Sequence, residues 1–164
     1  NNEGDEVMLF AIGGHPGFTF PITERDRRED FEYWFSKPLT TDRNEISNSL
    51  IQPKVLPFLN NESTLSFGDK RIPDGGLLLL NPQARKIGIA RTGEKPFVTI
   101  DLGDFPNANL WSPPGFPLAC IEPMVAHHDF QESPEAIEEK DHLIRLEPGK
   151  SRTYRFTITV HAVR

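Results

Sequence analysis

Tyr154-Arg155-Phe156-Thr157-Ile158-Thr159-Val160-His161-Ala162 decides the fold class. Tyr154, Phe156, Ile158, Val160 and Ala162 alternate with Arg155, Thr157, Thr159, His161 and Val163. Strict period 2 in β-branched and aromatic residues predicts a strand over 152–164 with one face buried and the other wet. The same signals recur towards the N-terminus. Leu118 to Ile121 is a short apolar run that reads as a buried strand. Arg85 to Arg91 and Pro96 to Leu102 predict a hairpin, joined through Thr92-Gly93-Glu94-Lys95 with Gly93 free to take φ > 0. Leu77 to Leu80 is too short for a helix and lies between Gly75-Gly76 and Asn81-Pro82, so it reads as a strand buried on both faces. Phe31 to Phe35 is a further strand, as is Glu6 to Ile12 near the start. One weak helix signal remains: Ser133-Pro134-Glu135 forms an N-cap, a proline at the first position and an acid near the positive end, predicting a turn or two over 136–140.

Composition agrees with an all-β chain. Of 164 residues 15 are proline and 12 glycine, and an interior proline costs a helix about 3 kcal/mol. The 12 phenylalanines supply enough apolar surface for a core, which argues against disorder. The length suits one domain or a large part of one. Short strands separated by Pro/Gly-rich turns predict a β-sandwich. A formal charge of −6 leaves no basic field for nucleic acid. No apolar run approaches the roughly 20 residues a membrane-crossing helix needs. The single cysteine, Cys120, excludes an internal disulfide framework and a zinc site of several thiolates, and fits a reducing compartment such as the cytoplasm. The chain opens on Asn1-Asn2-Glu3-Gly4-Asp5, which reads as a turn, with no initiator Met, and this reads as a fragment of a longer domain.

Several residues can carry chemistry. In Gly13-Gly14-His15-Pro16-Gly17-Phe18, glycines and a proline fix an irregular backbone around one imidazole, which can serve as acid or base near neutral pH. Read alone, such a histidine is more often a turn residue. In Cys120-Ile121-Glu122-Pro123 an acid leaves a buried strand, where it needs either a partner or a raised pKa. Pro123 is expected to end the ladder. A structural role and a proton-transfer role are equally open for Glu122. Asp74, in Ile72-Pro73-Asp74-Gly75-Gly76, is by itself an ordinary turn former. Trp111 is either core or a platform for a sugar ring. His127-His128-Asp129 holds two neighbouring imidazoles that nothing aligns, so no metal site is expected there. Cys120 has no base near it in sequence and reads as a buried, inert thiol. The mixed run Glu24-Arg25-Asp26-Arg27-Arg28-Glu29-Asp30 reads as a solvated loop, because its charges cancel.

Taken in order, Gly13 to Phe18, Asp74, Trp111-Ser112 and Ile121-Glu122-Pro123 resemble the Gly-x-His-Pro-x-Phe, Asp, Trp-Ser and apolar-Glu-Pro elements of the aldose 1-epimerase (galactose mutarotase-like) family. The resemblance covers essentially all of residues 1–164 and implies the C-terminal portion of a single domain of that family's β-sandwich (supersandwich) fold. It implies a cofactor-free interconversion of the α and β anomers of an aldose, with His15 as general acid, Glu122 as general base, and Asp74 and Trp111 contacting the sugar. Acid and base are expected on opposite sides of one sugar ring. A further sugar-contacting His and Arg would belong to an N-terminal segment that completes the domain. Where family members often carry Trp after Glu-Pro, this chain has Met124-Val125-Ala126. Arg25, Arg27 and Arg28 are the nearest basic anchor for a phosphosugar. The alternative reading is a non-catalytic carbohydrate-binding β-sandwich module, in which His15, Asp74 and Glu122 would be scattered.

Overall fold

The computed structural model describes residues 1–20, 23–47, 50–72 and 76–162. Antiparallel strands build two packed sheets and a small ribbon. The first sheet joins β3 (Phe31–Ser47), β4 (Leu50–Ser66), β6 (Lys86–Arg91), β7 (Val98–Asp101) and β11 (Thr157–Val160) in the order β11-β7-β6-β3-β4. The second joins β2 (Gly17–Thr19), β5 (Leu77–Leu79), β8 (Asn107–Trp111) and β9 (Leu118–Met124) in the order β2-β9-β8-β5. The ribbon pairs β1 (Met8–Phe10) with β10 (Ile144–Leu146).

Alternation along each strand sends one face into a shared core. Tyr33 and Phe35 of β3, Ile87 and Ile89 of β6, and Ile100 of β7 meet Leu77 and Leu79 of β5, Leu110 of β8 and Ile121 of β9 there. Tyr33 crosses this core. Its hydroxyl lies 3.2 Å from the carbonyl of Trp111 and 3.1 Å from that of Cys120, so its hydrogen is shared between two strands of the opposite sheet. Burial holds its phenol well above the usual range.

The hairpin predicted over 85–102 is present as β6 and β7, and the run at 118–121 falls in β9. The run at 77–80 yields β5 over Leu77–Leu79 but is not buried on both faces, since Leu78 is half-buried and Leu80, beyond the strand, is 51% exposed. Other expectations need correction. The strand starting at Phe31 runs on to Ser47 and pairs with the equally long β4. Pro38, Pro53 and Pro57 lie inside these strands, and the register shifts at several points along them, one of them between Trp34 and Leu39. Asn61, at φ 59°, takes the left-handed conformation at another of these irregularities. Pro123 does not end the ladder. It pairs with Ala108, and its carbonyl accepts from the Gly14 amide at 2.9 Å. Its missing N–H therefore faces the His15 loop and costs the β8–β9 ladder nothing.

The strand predicted over 152–164 is present only as Thr157–Val160 among the described residues, and there the alternation has the expected phase, with Ile158 opposite Ile100 and Val160 opposite Val98. Its apolar face is nonetheless not buried, since Ile158 is 45% and Val160 80% exposed. The strand is the sheet's edge, where its inward side is only partly covered; Val163 and Arg164 lie outside the described residues. The helix signal yields only a 3-10 turn over Ile137–Glu139 without a side-chain cap. Ser133 is used elsewhere, its hydroxyl accepting from the Phe130 amide at 2.9 Å.

The charged run at 24–30 is structural rather than merely solvated. Asp26 makes a two-pronged ion pair with Arg91, at 2.6 and 2.8 Å. Arg28 donates to the carbonyls of Phe67, Ser112 and Pro113, and its guanidinium lies over the rings of Phe20 and Phe67. Those bonds occupy Arg28, one of the three arginines of the expected phosphosugar anchor. No helix among the described residues is long and apolar enough to cross a membrane, which leaves a strand-built crossing unaddressed.

Candidate functional site

The site is built on the outer face of the second sheet, opposite the core. On β9 the core takes Ala119 and Ile121, so Cys120, Glu122 and Met124 point the other way. Register then fixes their neighbours. Trp111 and Gly17 stand beside Cys120, and Asn109 stands beside Glu122. His15 is held above this row by its flanking residues. Gly13 bridges to Met124, the Gly14 amide donates to Pro123, and the Pro16 carbonyl accepts from the Ile121 amide at 3.4 Å. Gly14 has no room for a side chain, because a Cβ there would meet the Phe156 ring at 2.7 Å.

His15 Nε2 lies 3.3 Å from Glu122 Oε1, with the histidine side chain 63% exposed and the glutamate 9%. The imidazole and the Trp111 ring meet in a T-shaped contact, with centroids 6.0 Å apart at 87°. Asn109 Nδ2 donates to the other Glu122 oxygen at 3.3 Å. Despite its approach to His15, Oε1 makes no aligned hydrogen bond and is buried, as is Asn109 Oδ1. Burial pushes the Glu122 carboxyl up, against the Asn109 amide and the nearby His15 and His128. A carboxylate lifted in this way is a stronger base than one in water.

Three of the four residues singled out from the sequence, His15, Trp111 and Glu122, thus come together; Asp74 lies outside the described residues. Gly76, two residues on, packs against Asn109 at φ 98°, where a Cβ would lie 2.7 Å from Oδ1. The two candidate proton-transfer groups face each other directly, with His15 the outer and Glu122 the inner member of the pair. The imidazole is the exposed member of this pair, whereas Glu122 sits in the β8–β9 register opposite Asn109.

Sequence reading missed two members of the site. Asn109 is revealed only by the β8–β9 register. Cys120 has no base near it in sequence, yet its sulfur lies with the His15 and Glu122 donor atoms inside one 4.8 Å group. The signal was present in its i, i+2 spacing from Glu122 on a strand. Burial and the neighbouring carboxylate push its thiol up to about 11. His127, His128 and Asp129 form no such group. Asp129 is engaged by Lys140 and His142, and His127 donates to the His128 carbonyl at 2.7 Å. A hollow of about 1140 Å³ opens elsewhere, on the outer face of the first sheet between Trp34, Thr99 and Thr159. It contains none of the convergent groups described above, so the chemistry points to the His15 row instead.

No family model matches the chain. A galactose mutarotase-related enzyme from Lactobacillus acidophilus superposes with a TM-score of 0.81 at 26% identity, over 98% of this chain and 55% of that one. A galactose mutarotase-like protein from Lactobacillus casei gives 0.81 at 23% identity, over 98% and 56%. The fold is galactose mutarotase-like. The plasmid protein LacX of Lactococcus lactis subsp. lactis is consistent with this, being 25% identical over 167 residues, 98% of this chain and 55% of LacX. The chain therefore spans about half the length of the relatives it matches. Within this galactose mutarotase-like fold, the His15–Glu122 row lies on the outer face of the four-stranded sheet.

Proposed function

We propose that residues 1–164 are the C-terminal portion of an aldose 1-epimerase-like domain, and that the whole domain interconverts the α and β anomers of an aldose without a cofactor. The observation that carries this reading is the 3.3 Å approach of an exposed imidazole to a buried carboxylate on one open sheet face. Glu122 takes the proton from the anomeric hydroxyl. Those electrons form the C1 carbonyl, the bond from C1 to the ring oxygen breaks, and the ring oxygen takes the proton of His15. Rotation about the bond from C1 to C2 and closure on the other face return both protons. The two oxygens served sit on one carbon, so a modest outward swing of His15 is enough to admit them. Trp111 walls the sugar, Asp74 binds its hydroxyls, and a segment N-terminal to Asn1 supplies the remaining contacts. A buried free thiol suits the cytoplasm as its place of work.

Polarimetry on fresh α-glucose or α-galactose with the full-length protein tests this reading. Mutarotation should be accelerated, and Glu122→Gln should remove about 100- to 10,000-fold of that acceleration. Undiminished activity in the variant overturns the assignment. Sugar binding without any acceleration in the parent protein favours the carbohydrate-binding module instead.

A further inference from the structure

We infer that His15 Nε2, Cys120 Sγ and a Glu122 carboxylate oxygen form a binding site for a thiophilic divalent cation of the zinc class. The three donor atoms lie within 4.8 Å of one another, and this is the donor group that stands out among the described residues. Three protein donors drawn from histidine, cysteine and glutamate match the donor number of catalytic zinc centres and use the side chains that bind zinc. Bonds of about 2.0–2.2 Å to nitrogen and oxygen put two such donors roughly 3.3 Å apart on a tetrahedral edge. His15 Nε2 and Glu122 Oε1 already stand at 3.3 Å, and within the 4.8 Å group the sulfur closes to an edge of roughly 3.6 Å when the exposed imidazole follows the ion.

A second observation points the same way. Glu122 Oε1 is buried, aimed at the imidazole, and lacks a hydrogen-bond partner, as does Asn109 Oδ1 beside it. An acceptor left in that state costs free energy that a cation would recover. Asn109 Nδ2 meanwhile holds the other oxygen, which fixes the carboxylate as an outer-shell partner does. Gly17 opposite Cys120 keeps the sulfur side narrow but free of a competing side chain. On binding, the sulfur–hydrogen bond breaks, the proton passes to solvent, and the thiolate bonds the ion. If His15 and Glu122 are also the acid and base proposed above, an ion held here silences both. That consequence rests on the proposed function; the binding does not.

Isothermal titration of the 164-residue chain with Zn²⁺ should give one ion per chain, and Co²⁺ should give a thiolate-to-cobalt charge-transfer absorption. Cys120→Ala and Glu122→Gln should abolish both signals. Asn109→Ala should weaken binding about 10- to 100-fold. His142→Ala, which alters the separate His127–His142 stack, should leave binding unchanged. Cys120→Ser keeps the residue's size if the alanine variant folds poorly, and should still lose the charge-transfer absorption. Absence of that absorption in the parent chain overturns the inference, as does zinc binding that survives Cys120→Ala; its loss in His142→Ala would place the ion at the His127–His142 stack instead. Zinc inhibition of mutarotation that a chelator reverses is a separate readout. Its absence alongside intact binding would count against the proposed acid and base, not against the site.

Discussion

Glu122 can be buried because Asn109 and His15 share the load of its charge. Tyr33 plays the matching part on the core side, tying the carbonyls of Trp111 and Cys120 to the first sheet. Tyr33→Phe should therefore cost about 0.5–1.5 kcal/mol in chemical denaturation. An unchanged midpoint would show that the hydroxyl does not engage those strands. At this scale the sequence was informative where local chemistry is unusual. An imidazole among glycines and a proline, and an acid leaving an apolar strand, both stand out without a structure. Asn109 does not, because its role comes from standing opposite Glu122 across a register that no local pattern encodes.

Among the elements, short strands bounded by turn residues were legible, and the long β3–β4 pair was not. Internal prolines and the charges Asp42, Arg43 and Glu45 break the period-2 signal over residues that pair as strand all the same. The structural role of the run at 24–30 is hidden from local sequence for a related reason. Its net charge says nothing about Arg91 on β6, which receives Asp26. That arginine's hydrogen bonds hold the Asp26 carboxyl well below the usual carboxylate range. A depressed pKa adds stability that is complete above the ordinary aspartate range, near 3.9, and is lost as pH falls through the lower folded value. Asp26→Asn should thus be less stable than the parent at neutral pH, with the gap closing on acidification. Denaturation midpoints across a pH series check this, and a gap independent of pH would assign the loss to something other than the ion pair.

Over the whole molecule, the sandwich and its inward and outward faces were readable from alternation, but the extent of cover was not. Alternation reports which side of a strand is apolar and not whether another layer reaches it. At the β11 edge the inward apolar residues emerge into solvent, with Val160 80% exposed. An open edge with apolar side chains invites strand-to-strand association. The chain by itself should self-associate as its concentration rises, and Val160→Lys should suppress this in light scattering while shifting stability by no more than about 0.5 kcal/mol. Equal association in both proteins would place the contact elsewhere. The packing of Phe156 against Gly14 gives that edge a further reach. The aromatic ring acts as a wedge between the tail of the chain and the loop that aims His15. A load applied along β11, from a fused tag or a cross-link, would thus be felt as a change in the aim of the imidazole.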